Sequence, residues 1–133
     1  MCFPIDFYYP SATSDFKVEF ETNLTSTTNP QARIGLYDGG NETMQNGLQV
    51  FPNGYVTCYN SGQSSDIPIT PLTDVNGIWT IQRVESNWTI LYNQDVIVET
   101  SCPGDVAPQN MTLVVHNYGE AIYGYIDNII WSN

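Results

Sequence analysis

A chain of 133 residues, 41% of them apolar, is long enough for one domain with a full core and too apolar to stay disordered. Its net charge of −11 and its three cations, Lys17, Arg33 and Arg83, exclude a nucleic-acid footprint and disfavour anionic membrane surfaces, and no apolar run approaches a membrane span. Tyrosine is the commonest aromatic, and Thr, Asn and Val are plentiful, which is strand-and-turn chemistry rather than the Lys-, Arg- and Glu-rich chemistry of surface helices.

The chain opens on "MCFPIDFYYP". With no cationic start, two prolines, Asp6 and no continuous apolar run, this is not a secretory leader, so a leader lies upstream of this numbering or the chain is not secreted. Phe3, Ile5, Phe7, Tyr8 and Tyr9 make it extended, apolar and β-prone. We read residues 1–15 as an N-terminal extended segment and residues 16–133 as the sandwich domain. Chain ends are mobile unless something holds them. This end either lies in its own sandwich or adds as a strand to the sheet edge of another copy, which would build an open fibre or homo-oligomer. Cys2, the odd cysteine of three, is an intermolecular or free thiol in this reading.

In "DFKVEFET", Phe16, Val18 and Phe20 alternate with Lys17, Glu19 and Glu21, the pattern of a strand with one solvated face. "ARIGLYDGG" reads as a second strand ending in a loop. "LQVFPNGYVTCYN" reads as a hairpin in which Asn53-Gly54 supplies two positive-φ positions. Pro68 and Pro71 in "IPITPL" allow at most an edge strand. "GIWTIQRV", "NWTILY", "DVIVETS", "MTLVVHNY" and "AIYGYIDNIIW" follow as strands, with Ser86-Asn87, Asn93-Gln94 and Gly119-Glu120 as turn signals. No stretch holds a 3.6-residue period, so the fold class is all-β, an antiparallel sandwich or barrel.

Cys58 and Cys102 both sit in strand-like segments and are read as a disulfide across the sandwich; the alternative is two buried thiols. Four N-x-[ST] sequons, at Asn23, Asn41, Asn87 and Asn110, agree with an extracellular, secreted glycoprotein, although a composition rich in Asn, Ser and Thr produces some sequons by chance.

"NGIWTIQRVESNWTILYNQDVIVE" and "APQNMTLVVHNYGEAIYGYIDNIIW" resemble the last strands of concanavalin A-like jelly rolls, a superfamily that includes galectins and laminin G-like domains. The features are a W-x-I strand at Trp79, a second at Trp88 running into a short turn at Asn93, and a closing strand ending "IDNIIW". The resemblance spans residues 76–131 and implies an antiparallel jelly-roll sandwich; it speaks to fold more than to function. Galectins read sugar with a His, Asn and Arg cluster followed by a Trp with nearby Glu and Arg. Here His116 falls in the penultimate strand, Arg33 and Arg83 have no H-x-N-x-R around them, and the stretch before Gly77 lacks the Trp. Galactose binding through that arrangement is not expected.

No catalytic constellation emerges. Glu19 and Glu21 share a strand face but alternate with core residues, as outward charges do. His116 is the one neutral-pH base, placed in a strand without a nucleophile motif. No cofactor is expected; calcium is the one metal considered, with Asp38, Asn41 and Glu42 on the glycine-rich "YDGGNET" turn as oxygen ligands, against the ordinary use of such residues in turns. Sugar stacking could use Tyr8, Tyr9, Tyr37, Tyr55, Tyr59, Tyr92 or Tyr125, and best Tyr118 and Tyr123 beside a turn, while Trp79, Trp88 and Trp131 read as core. The expectation is a non-enzymatic, self-assembling structural subunit whose N-terminal segment packs on a neighbour. The alternative is a carbohydrate-binding, lectin-like module with a glycan ligand.

Overall fold

The computed structural model describes residues 5–8, 15–25, 32–37, 47–60, 63–101, 110–117 and 123–132; for 5–8, 25, 37, 60, 110–117, 123 and 131 only the backbone is described. Eleven strands run in order: β1 (Ile5–Tyr8), β2 (Phe16–Thr25), β3 (Ala32–Tyr37), β4 (Gly47–Phe51), β5 (Tyr55–Asn60), β6 (Gln63–Pro68), β7 (Gly77–Val84), β8 (Asn87–Tyr92), β9 (Asp95–Ser101), β10 (Asn110–Asn117) and β11 (Tyr123–Ser132). They form a six-stranded sheet, β1-β10-β3-β4-β5-β6, and a five-stranded sheet, β11-β2-β7-β8-β9. Every described pairing is antiparallel. The chain changes sheets after β1, β2, β6, β9 and β10, which is the winding of a jelly-roll sandwich. Among the described residues no helix is long and apolar enough to cross a membrane.

Strand alternation builds the core. Phe16, Val18, Phe20 and Leu24 of β2 face Ile34 and Leu36 of β3, Leu48 and Val50 of β4, and Val56 and Cys58 of β5 across the sandwich, with Trp79, Ile81, Trp88 and Ile90 closing the centre. Trp79 and Trp88 are buried as the sequence predicts, each worth ~1.5–3 kcal/mol or more on the scale of large buried side chains. Phe16 meets Trp88 edge-on at 5.4 Å between centroids, and Arg83, itself buried, lays its guanidinium 5.7 Å from the Trp88 ring.

Of the two placements open to the N-terminal segment, its own sandwich is the one seen. Ile5–Tyr8 pairs with β10, Ile5 opposite Leu113 and Tyr8 opposite Asn110, so this segment completes a sheet of its own chain. Pairing in the same chain avoids the entropy of association that a strand donated to another copy would cost. Phe3, Tyr9 and Cys2 lie outside the described residues.

Two turns differ from their predicted form. At "FPNGY" Gly54 N–H donates to the Phe51 carbonyl at 3.0 Å, and Gly54 has φ 156° while Asn53 has no positive φ. Pro52 at the second position pre-sets a type I turn, and three residues rather than two join β4 to β5. After β7 the loop is Glu85-Ser86, one residue earlier than read, because Val84 pairs with Asn87 and Glu85 takes φ 55°. Asn93 and Gln94, at φ 48° and 71°, form the two-residue hairpin loop the sequence predicts. Gly119-Glu120 lies outside the described residues. In "IPITPL", where the prolines allow at most an edge strand, only Ile67 and Pro68 are strand residues, the end of edge strand β6.

A loop before β7 ties β2, β7 and β8 of the five-stranded sheet together. Asp74 Oδ1 accepts from the N–H groups of Val75 and Asn76 at 2.7 and 3.0 Å. The Val75 carbonyl accepts from Thr22 Oγ1 at 2.7 Å and from Trp79 Nε1 at 3.0 Å. The Asn76 side chain takes both backbone groups of Leu24: Oδ1 accepts from its N–H at 2.7 Å and Nδ2 donates to its carbonyl at 2.9 Å. Tyr92 Oη donates to the Asn76 carbonyl.

Candidate functional site

The residues of β3–β6 that point away from the core form one face of the six-stranded sheet. Leu48 and Val50 of β4 point inward, so Gln49 and Phe51 point outward; Val56 and Cys58 of β5 point inward, so Tyr55, Thr57 and Tyr59 point outward. Cross-strand register then sets rows. Gly35, Gln49, Thr57 and Asp66 lie side by side across four strands. Gly47, Tyr59 and Ser64 make the row beyond it, and Phe51, Tyr55 and Pro68 the row on the other side. Gly35 and Gly47 contribute no side chain, and both are buried.

This face is polar yet partly covered. Gln49 is 0% exposed and Thr57 4%, although both point away from the core. Each is bonded to a neighbour on the face: Tyr59 Oη donates to Gln49 Oε1 at 3.2 Å, and Thr57 Oγ1 donates to Asp66 Oδ1 at 2.8 Å. Phe51 and Tyr55 stack at 4.4 Å between centroids with planes 15° apart, and the Arg33 guanidinium lies 4.4 Å from the Phe51 ring centroid. Burial pushes the Tyr59 hydroxyl's pKa up, with Asp66 and Tyr55 adding to the rise and Arg33 opposing it, so Tyr59 is a neutral donor at physiological pH. The turn below the aromatic pair is held from outside: Ile69 N–H donates to the Gly54 carbonyl at 2.9 Å and Leu72 N–H to the Pro52 carbonyl at 2.8 Å.

The result is a half-buried aromatic plate with the exposed Asp66 carboxylate and the half-buried Tyr59 hydroxyl and Arg33 guanidinium at its margin, while buried Gln49 and Thr57 position Tyr59 and Asp66 from beneath. Flat apolar rings with fixed polar groups at their margin suit a ligand with an apolar face and a ring of hydroxyls. The hydrogen bonds among Tyr59, Gln49, Thr57 and Asp66 hold those groups in place before any ligand arrives.

The residues singled out from sequence fall as follows. Cys58 is buried and disulfide-bonded; Cys102 and Cys2 lie outside the described residues. Asn23 is exposed on β2 and Asn87 half-buried at the start of β8; Asn110 opens β10, with its side chain undescribed, and Asn41 lies outside the described residues. Asp38, Glu42 and Tyr118 also lie outside them, and Tyr123 opens β11 with only its backbone described. Among the described residues no group of three or more His, Cys, Asp or Glu comes together as a metal cluster. Tyr55 and Tyr59, two among many sequence candidates, share the face just described, while Phe51, Gln49, Asp66 and Arg33 were missed. The outward positions of "LQVFPNGYVTCY" carry the signal for the first two, whereas Asp66 and Arg33 sit on strands whose register no local pattern sets.

No protein-family model matches the chain, and no curated protein matches its sequence. Solved structures do. Sheep galectin-11, in complex with glycerol, superposes with a TM-score of 0.67 at 10% identity over 98% of this chain and 96% of its own. The carbohydrate-binding module CBM66 from Bacillus subtilis gives a TM-score of 0.62 at 14% identity, over 92% of this chain and 77% of its own. The binding domain of botulinum neurotoxin DC, solved with rat synaptotagmin II, gives 0.58 at 14% identity over 98% of this chain but 38% of that one. At such identities the likeness is one of fold, and it agrees with the resemblance read from residues 76–131: the chain is an antiparallel jelly-roll sandwich of the kind seen in galectins and carbohydrate-binding modules.

Proposed function

We propose that this protein is a non-catalytic carbohydrate-binding module that holds a neutral saccharide on the outer face of β3–β6. The observation that carries the reading is the stacked Phe51–Tyr55 plate on the same face as Asp66 and Tyr59, which buried Thr57 and Gln49 hold in place. A net charge of −11 repels anionic glycans and leaves neutral ones as the favoured class. The fold's occurrence in a galectin and a carbohydrate-binding module supports the reading. A disulfide at Cys58 supports work in an oxidising, extracellular compartment. Ile5–Tyr8 pairs with β10 of its own chain, which favours the carbohydrate-binding reading over the self-assembling one, in which that segment packs on a neighbour.

A glycan array, followed by titration calorimetry on the best binder, tests the proposal. Phe51→Ala is expected to weaken binding about tenfold or more, equivalent to ~1.4 kcal/mol. Asp66→Asn and Tyr59→Phe should each cost several-fold, and Val96→Ser on the other sheet should cost nothing. An array without a neutral binder, or affinity indifferent to Phe51→Ala and Asp66→Asn, overturns it.

A further inference from the structure

The five-stranded sheet presents an outer face with a different character. Ile130, Glu19, Thr80, Leu91 and Val96 line up across all five strands by register. Ile130 is 59% exposed and Val96 58%, and Ile78, Val84 and Tyr125 are exposed as well. All five of the large hydrophobic side chains exposed among the described residues therefore lie on the face opposite the candidate ligand site. A face of this kind promotes association between copies unless something covers it.

Asn23 and Asn87 stand on the same face. Asn23 pairs across strands with exposed Tyr125, and its Nδ2 donates to Tyr125 Oη at 2.9 Å. Asn87 pairs with exposed Val84, and its Nδ2 donates to Glu99 Oε1 at 3.0 Å. Both amide nitrogens, the atoms an N-linked sugar would substitute, thus sit on the outer surface of the sheet. Register sets their spacing. Asn87 lies in the row of Val84 at one end of the sheet, and Asn23 lies four residues beyond Glu19 towards the other end. The row with Ile130 at one edge and Val96 at the other falls between them, ~13 Å along the strands from each site at ~3.3 Å per residue.

We infer that Asn23 and Asn87 carry N-linked glycans, and that these two sugar chains bracket and shield the exposed apolar side chains on the outer face of the five-stranded sheet. A branched sugar is bulky and strongly hydrated, so two of them at opposite ends keep a second copy off the surface between. The outer face of β3–β6 is on the other side of the sandwich and stays open.

The test is to secrete the chain from a eukaryotic cell behind a cleavable leader and to map glycopeptides by mass spectrometry. Most molecules are expected to carry glycan at both Asn23 and Asn87; a bare Asn at either position in most molecules overturns the inference. The shielding part is read by light scattering on two double variants: Asn23→Gln with Asn87→Gln, and Thr25→Ala with Thr89→Ala. The second pair removes the same sequons and leaves both asparagine hydrogen bonds intact, so it separates lost sugar from lost folding. Both are expected to self-associate at concentrations where the glycosylated chain is monomeric, and adding Val96→Ser with Ile130→Ser should restore the monomer. Double variants that stay monomeric overturn the shield.

Discussion

Replacing Asn76 by alanine removes a half-buried polar side chain and yet should cost as much as the milder core truncations of its size. Its amide satisfies both backbone groups of Leu24, at 2.7 and 2.9 Å, from 52 residues away. Leu24 is buried, so in Asn76→Ala its N–H and carbonyl lose their partners where water reaches them poorly. Each buried backbone group left unpaired costs ~1–3 kcal/mol, and partial access of water puts both at the low end, for a total of about 2–3 kcal/mol. Urea unfolding under non-reducing conditions reads this directly. With a slope of ~1.5 kcal/mol/M for a domain this size, the midpoint should fall by about 1.3–2 M while the slope stays constant. Asn76→Asp keeps the acceptor for Leu24 N–H and loses the donor, so it should fall short of wild type while its charge faces a carbonyl. Ser86→Ala, in an exposed turn, should change stability by less than ~0.5 kcal/mol. A loss below ~0.5 kcal/mol in Asn76→Ala would show that the Leu24 groups find other partners and would refute the reasoning.

Gly77→Ala should also destabilise, by ~2 kcal/mol, because Gly77 has φ 145° and a Cβ there would lie 2.4 Å from Asn93 Oδ1, the acceptor for Ile78 N–H. Since the obstacle is that side chain, Gly77→Ala and Asn93→Gly should couple, with the double variant less damaged than the sum; additivity within ~0.5 kcal/mol contradicts the contact. Alkaline stability should fall through two tyrosines. Burial raises the pKa of both Tyr59 and Tyr92 above the ordinary 10.0, with Asp66 and Tyr55 adding for Tyr59 and Asp74 for Tyr92. The folded chain then holds these protons after the unfolded chain has released them, so their stabilisation is whole below pH ~10 and is lost as pH rises through the folded values. Midpoints measured from pH 9 to 12 should drop less steeply in a Tyr59→Phe, Tyr92→Phe double variant; equal slopes count against the assignment.

Where the chain's pattern is local, it was legible. Phe16, Val18 and Phe20 alternate with Lys17, Glu19 and Glu21, and β2 runs through them with that inward set buried. Asn93-Gln94 supplies two residues that tolerate positive φ, and the hairpin loop is there. β6 was hidden, because "QSSDIP" carries no apolar alternation; its strand character comes from pairing with β5, Thr57 opposite Asp66. The candidate site was legible by halves. The β4–β5 hairpin brings Gln49, Phe51, Tyr55, Thr57 and Tyr59 to one face through a short turn. Arg33 arrives across residues 38–46 and Asp66 from an edge strand, and nothing in either segment states its register.

The sequence by itself determined the all-β class, the inward set of the main strands and the tight turn between β8 and β9, because period-two alternation and left-handed turn residues act over a few neighbours. Only the tertiary structure decided that Ile5–Tyr8 joins its own sheet beside β10, that Asn76 clamps Leu24, and that Arg33, Phe51 and Asp66 share a face. Those are choices of partner between strands far apart in the chain, made by which closure buries the core and pairs its backbone, and no local window of residues contains them.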